Sequence, residues 1–261
     1  MPRANRYIVA GAAYHVTHRC HNRDHLLRFS RDRDAYRAML RGQLAVRPDI
    51  RLLTYCITSN HVHLLLTSRG SDESISGLMQ ALEGEFAQAY NRRKNRSGAY
   101  WGDRFHATMI DSGEYLWRCM RYIDMNMVRA GVVRHPSEWP WAGYSEITGM
   151  RKRYRVISLE ELIERAHQVS LNTLQTWYVD WIESSTTEEA RKRDGKWTES
   201  IAVGGRSFVE ALGGEVERRM SVEVLGDESG GWILKESKSS YSPFLGQENG
   251  CKAPKPVFLH T

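Results

Sequence analysis

The chain has 261 residues, 41% of them hydrophobic and 26% charged, with a formal net charge of +6. This is the profile of a soluble globular protein with one good core, or one core plus a smaller appendage. No apolar run approaches the ~20 residues needed to span a bilayer, and the first thirty residues carry arginines and histidines rather than an apolar signal core. A cytoplasmic protein with no membrane partner is therefore expected.

The four cysteines (Cys20, Cys56, Cys119, Cys251) are scattered with no CxxC pair, so neither a zinc knuckle nor a disulfide framework is suggested. Charge is unevenly placed. Residues 1–150 hold 21 Lys+Arg against 14 Asp+Glu, and 20 of those 21 are arginine, whereas residues 151–261 hold 16 against 17. Arginine binds phosphate bidentately and stacks on bases, so the first part suits a nucleic-acid partner, although basic surfaces also occur without one.

In chain order, a short basic arm with Arg3 and Arg6 leads into a strand over about 12–19, with Tyr14, Val16 and His18 on one face. His15 and His21 read as polar positions near backbone or as surface; nothing in their spacing demands a metal. A polar corner follows, containing Arg19 and Arg23. A helix is expected over about 31–46, with Ser30 as its N-cap and Tyr36, Met39, Leu40 and Leu44 as its apolar stripe. Pro48-Asp49 ends it, and strand 50–57 turns through Thr58-Ser59-Asn60 into a hairpin.

The returning strand, His61-Val62-His63-Leu64-Leu65-Leu66, is the most informative stretch. Side chains alternate along a strand, so His61 and His63 share a face with their roots about 7 Å apart. Such a pair can grip one divalent cation. The plain alternative is two half-exposed histidines on a sheet.

A second helix is expected over about 72–91, buried through Ile75, Leu78, Met79, Leu82, Phe86 and Tyr90. It runs into Arg92, Arg93, Lys94 and Arg96, then Tyr100-Trp101. These read equally as a solvated helix end or as cations and rings for single-stranded nucleic acid. After a strand at 104–110, Asp111-Ser112-Gly113-Glu114 looks like a capping box opening a third helix that runs to about 129. The order βαββαβ plus a helix defines an α+β fold, the split βαβ or ferredoxin-like antiparallel sheet, with helices on one face and the other left for a ligand.

That third helix has two stripes. Leu116, Cys119, Met120, Ile123, Met127 and Ala130 should pack on the sheet; Tyr115, Arg118, Tyr122, Asn126 and Arg129 adjoin them. Tyr122 and Asn126, one turn apart, can converge on a point. Asp124 should point elsewhere.

His61-Val62-His63, followed by Tyr122 and Asn126 on a later helix, resembles the HUH single-tyrosine transposases, and within them the REP-associated tyrosine transposase group. Tyr14-His15-Val16-Thr17-His18-Arg19, Tyr100-Trp101-Gly102-Asp103-Arg104-Phe105, Trp139-Pro140-Trp141 and Tyr144 also resemble that group. The likeness covers about residues 7–148. It implies a metal-dependent endonuclease and strand transferase for single-stranded or hairpin DNA of the REP-like palindrome type, acting as a monomer or homodimer. His61 and His63 would hold the metal with Asn126 as a third, polar residue, and Tyr122 would be the nucleophile forming a 5′-phosphotyrosine link. Relatives usually carry proline after that asparagine; Met127 stands there here, so the helix is expected to continue. Two imidazoles and an amide suit Mg²⁺ or Mn²⁺. Candidate DNA contacts are Arg3, Arg6, Arg19, Arg23, Arg92, Arg93, Arg96, Arg118 and Arg129. A domesticated protein that holds hairpin DNA without cutting it is the alternative. A histidine-triad nucleotide hydrolase is disfavoured because position 65 is leucine.

Residues 1–150 are thus expected to form the catalytic domain and 151–227 a small, mainly helical accessory module. Helices are expected from about 158, at 171–182 and at 207–220. Residues 228–261, with Gly230-Gly231 and three prolines, are expected as a flexible tail.

Overall fold

The computed structural model describes residues 9, 11–70, 74–184, 192–218, 220–227 and 230–237. Arg3 and Arg6, the polar stretch 186–191 and the chain beyond 237 lie outside the described residues. The elements are β1 (Ala13–Arg19), α1 (Ser30–Ala45), β2 (Ile50–Ile57), β3 (His61–Ser68), α2 (Ser74–Lys94), β4 (His106–Ile110), α3 (Glu114–Asp124) and α4 (Asn126–Arg129). There follow α5 (Tyr144–Ile147), α6 (Leu159–Arg165), α7 (Leu171–Glu183), α8 (Lys196–Glu199), β5 (Ala202–Gly204), α9 (Arg206–Val216), β6 (Val222–Gly226) and β7 (Trp232–Glu236).

The first four strands lie in the order β2-β3-β1-β4, every neighbouring pair antiparallel, which is the split βαβ sheet. Period-2 alternation explains how it is covered. Val16, Val62, Leu64 and Leu66 are fully buried. All six apolar residues of the α2 stripe are buried, as are Tyr36 and Leu40 of α1. Truncating one such leucine to alanine costs about 2–5 kcal/mol through lost transfer energy and the cavity left behind. The β2–β3 turn is held by Thr58, whose Oγ1 accepts from the backbone of Asn60 and His61 and donates to the His61 carbonyl at 2.8 Å.

The β2 edge is not left open. Ile57 N donates to Trp141 O and Gly143 N to Tyr55 O, each at 2.8 Å. The Trp139 indole donates to Ile57 O at 3.1 Å. Arg33 places its guanidinium over both indoles, 4.8 Å from Trp139 and 3.9 Å from Trp141. The Trp-Pro-Trp stretch therefore closes a sheet edge that would otherwise invite pairing with another chain.

The other edge departs from expectation. Residues 151–227 do carry helices, α6 to α9, but the chain returns to the sheet. β5 pairs parallel to β4, and β7 and β6 extend beyond it, giving one seven-stranded sheet in the order β2-β3-β1-β4-β5-β7-β6. Trp232–Glu236, placed in the expected tail, is strand β7. β5 has only three residues, too few for alternation to reveal it. Gly204 is required where β5 meets β4, because a Cβ there would lie 2.5 Å from Asp111 Cβ.

Three local details also differ. The expected capping box at 111–114 does not form. The N-cap of α3 is Gly113 at φ +66, which suits glycine, while Asp111 Oδ1 accepts from Ser112 N and Oδ2 from Gly205 N. Ser30 is the first residue of α1 and makes no side-chain cap. The tyrosine helix does not run unbroken to Arg129. It is interrupted at Met125 (φ −78, ψ 1) and resumes as α4, and Ala130 is exposed beyond its end. Methionine at 127 keeps its helical geometry, so the interruption precedes it.

Candidate active site

The antiparallel register places Arg19 opposite His61 and Thr17 opposite His63 across β3 and β1, and His15 opposite Thr108 across β1 and β4. One face of the sheet therefore carries a polar stripe of His61, His63, His15, Thr17, His106 and Thr108. α1 and α2 pack on the opposite face, where His18 meets Glu83 of α2 at 2.6 Å. The striped face is not fully open to a ligand as expected: α3 packs over β2, and α8 packs over β1 and β4.

His61 and His63 are brought together with ring centroids 4.8 Å apart. His61 is half-buried and His63 is buried. His61 Nδ1 donates to Asn60 Oδ1 at 2.7 Å, with Thr58 Oγ1 at 2.9 Å, which leaves the lone pair on Nε2. Asn126 Nδ2 donates to His63 Nε2 at 3.0 Å. The Tyr122 ring lies 6.2 Å from that of His63 and 6.0 Å from that of His15, edge-on to both. The late helix thus delivers its tyrosine beside the histidine pair. The interruption at Met125 separates the tyrosine turn from the asparagine turn.

Electrostatics follow from burial. Desolvation, helped by Arg19 and Arg193, pushes His61 down to about 3, and desolvation with its two histidine neighbours pushes His63 well below the ordinary imidazole range. Both rings are neutral at pH 7, the form that binds a metal. Burial raises the Tyr122 phenol, while Arg129 and Arg193 oppose that rise. Arg129 stacks on the Tyr122 ring with its guanidinium 4.0 Å from the centroid.

Among the described residues no group of three or more His, Cys, Asp or Glu gathers as a metal cluster. The donor set that does gather is two neutral imidazoles and one amide, and it would suit a divalent cation with open positions once the bond from Asn126 Nδ2 to His63 Nε2 gives way to the metal. Asp124 is not part of it: it is buried and accepts from Thr54 Oγ1 at 2.9 Å and Tyr178 Oη at 2.6 Å.

The candidate DNA-contacting arginines divide. Arg19, Arg23, Arg92 and Arg93 are exposed, although Arg93 also holds a partner. Arg93 is bonded to buried Asp32, and Arg96 closes the loop after α2 through Asn91 Oδ1 and Ala99 O. Arg118 pairs with Glu114 along α3 at 2.5 Å. Arg129 is turned onto Tyr122.

Two residues of the site were not read from sequence in this role. His15 stacks on His63, centroids 5.0 Å apart, with its Nε2 2.9 Å from His63 Nδ1. The strand register, which makes them diagonal neighbours, was the signal available. Trp197 sends its carbonyl to His15 Nδ1 at 2.7 Å and packs its ring 6.2 Å from that of Tyr122. No spacing rule points to it.

One face of the α+β sheet thus carries a histidine pair that a tyrosine and an asparagine from α3 and α4 approach. Residues 8–126 match the family model described as "Transposase IS200 like", which bears out the resemblance to the single-tyrosine transposases. A solved structure of a REP-associated tyrosine transposase bound to a REP hairpin is similar in fold. It has 20% identity and a TM-score of 0.50, over 61% of this chain and 93% of that one. A structure described as a candidate transposase from Deinococcus radiodurans R1 aligns over 51% of this chain and 92% of that one, with 19% identity and a TM-score of 0.32. No protein of curated function matches the chain. Transposase-like DNA processing is the activity this family match supports, and no described helix is long and apolar enough to cross a membrane.

Proposed function

We propose that this chain cleaves and rejoins single-stranded or hairpin DNA, with Tyr122 as nucleophile and His61, His63 and Asn126 holding Mg²⁺ or Mn²⁺. The observation that carries the reading is the convergence of Tyr122 and Asn126 on the buried His63, one 6.2 Å from it ring to ring and the other 3.0 Å from its Nε2.

In the reaction the Tyr122 oxygen forms a bond to phosphorus and the bond from phosphorus to the 3′-oxygen breaks. The phenol proton is lost and the 3′-oxygen gains one. The products are a 5′-phosphotyrosine and a free 3′-hydroxyl, and a second 3′-hydroxyl can run the step in reverse. A bound divalent cation supplies charge neutralisation on the scissile phosphate. The chain's own residues do the rest. Arg129 lies against the phenol and favours its ionised form. Trp197 and Arg129 flank the ring and limit its rotation. Arg19, Arg23 and Arg92 offer exposed cations to the phosphate backbone. Arg93, Arg96, Arg118 and Arg129 act through the partners they already hold. The proposed partner is a REP-like hairpin, in line with the hairpin held by the structural neighbour.

Incubating the protein with a labelled flanked hairpin and Mn²⁺ should give a denaturant-resistant protein–DNA adduct. Tyr122→Phe should abolish the adduct and retain binding. A wild type that forms no adduct with any flanked hairpin sinks the nuclease reading. The second reading, a protein that holds hairpin DNA without cutting it, is favoured by one observation: Tyr122 is only 8% exposed.

A further inference from the structure

We propose that His15 is a positioning residue for His63, and that the backbone carbonyl of Trp197 sets it through a three-membered hydrogen-bond relay. The inference rests on the metal-binding reading of His63 but is decided by a measurement that needs no metal.

The direction of every bond in the relay follows from one fixed point. A backbone carbonyl can only accept, so His15 Nδ1, 2.7 Å from Trp197 O, carries the proton. A neutral imidazole has one proton, and His15 is fully inaccessible with its two nitrogens facing a carbonyl and another imidazole, surroundings that offer a buried cation no counter-charge. His15 Nε2 is therefore an acceptor, and the His63 Nδ1 that faces it at 2.9 Å must donate. That leaves the lone pair of His63 on Nε2. At the far end Asn126 Nδ2 lies 3.0 Å from this same Nε2, a contact an unprotonated Nε2 can accept. Both rings are nearly inaccessible, His15 at 0% and His63 at 2%, so water does not compete for these bonds. The parallel stacking of the two rings, 20° apart, fixes their planes as well as their protons.

The chemistry at stake is which nitrogen His63 presents. A metal-binding imidazole donates its other N–H to a partner, which sets the tautomer and the ring orientation. Here that partner is a second histidine, held in turn by a carbonyl 182 positions away in sequence. The carbonyl is itself anchored. Lys196 Nζ lies 2.7 Å from Asp227 and 2.9 Å from Asp194, and Thr108 Oγ1 donates to Ser200 O at 2.8 Å. A segment outside the family-matched residues 8–126 therefore orients a ligand candidate within them.

Long-range ¹H–¹⁵N correlation spectra of the metal-free, full-length protein read the tautomers directly. The expected result is that His15 and His63 both carry the proton on Nδ1. His15→Phe should return His63 to a mixture of tautomers and weaken Mn²⁺ binding, measured by titration calorimetry, by about tenfold to a hundredfold. His15→Gln places an accepting oxygen near the lost Nε2 and should restore both. A wild-type His63 protonated on Nε2 overturns the relay, as does a His15→Phe protein whose His63 tautomer and Mn²⁺ affinity are unchanged. The wild-type spectrum decides the question even if a variant fails to fold. A protein with the expected tautomers that neither binds Mn²⁺ nor forms an adduct would overturn the nuclease reading and leave the relay standing.

Discussion

Arg129 lies against Tyr122 from the next turn of the chain, its guanidinium carbon 4.0 Å from the ring centroid and its Nη2 donating to the Tyr122 carbonyl at 2.5 Å. One side chain thus both braces the tyrosine backbone and faces its ring with positive charge. Burial is the larger influence on the phenol and raises it; Arg129 opposes that rise. Replacing Arg129 by glutamine should move the phenol further up and displace adduct formation to higher pH. At neutral pH the rate should fall about tenfold for every pH unit by which the profile moves. Lysine keeps the charge but not the planar stack, and should recover part of the loss. A pH profile of adduct formation that does not move in the glutamine variant would remove Arg129 from this role.

Asn126 separates the metal reading from a merely structural one. Asn126→Asp adds a carboxylate donor beside His63 and should strengthen Mn²⁺ binding, whereas Asn126→Leu should abolish the adduct. Calorimetric titration of Mn²⁺ into both variants is the check, and equal affinities for the two would show that position 126 does not meet the ion.

The three described cysteines, Cys20, Cys56 and Cys119, are buried, and desolvation raises each thiol, that of Cys20 to about 11. None should react with iodoacetamide in the native protein at about pH 8, since the thiolate is the nucleophile. The sign for stability is equally definite. The folded value of Cys20 lies above the ordinary thiol value of 9.0, so its contribution is full below about pH 9 and is lost as pH rises through about 11. That loss amounts to about 3 kcal/mol, each tenfold change in proton affinity being worth about 1.4 kcal/mol. Native-state alkylation read by peptide mass spectrometry, and chemical denaturation of Cys20→Ser between pH 8 and 11, test the two halves.

Asp124 ties α3 to the rest of the chain through Thr54 on β2 and Tyr178 on α7. Burial raises its carboxyl to about 7, and the two hydroxyl donors offset part of that rise. Tyr178→Phe leaves a buried acceptor with one partner fewer and should cost about 1–3 kcal/mol. For a protein of this size that is a fall of about 2–4 °C in Tm per kcal/mol. A calorimetric Tm unchanged in the variant would show that the bond adds nothing to stability.

Much of the first half was legible. The α2 stripe from Ile75 to Tyr90 is buried residue for residue, and the β2–β3 hairpin has the expected bounds, because long periodic elements carry their own signal. Strand alternation put His61 and His63 on one face, while the approach of Tyr122 and Asn126 to them, from 63 positions away in the case of Asn126, was implied only by the family resemblance. What was not legible depends on partners far apart in sequence. β5 is a strand only because β4 and β7 flank it. Gly113, rather than the side chains around it, begins α3. His15 gains its role from Trp197, and no local pattern links the two.

The placement of β5 against β4 has a consequence for the order in which the protein is made. Synthesis runs from the N-terminus and domains form as they emerge. A nascent chain that has just released Asn126 already owns both histidines and the tyrosine. It lacks the carbonyl at 197 that orients His15 and the strand at 202–204 that seals the open rim of β4. The proposed site is therefore completed some seventy-five residues after Asn126, the last of its proposed members, so a ribosome stalled between the two points would display a complete inventory in an unfinished site.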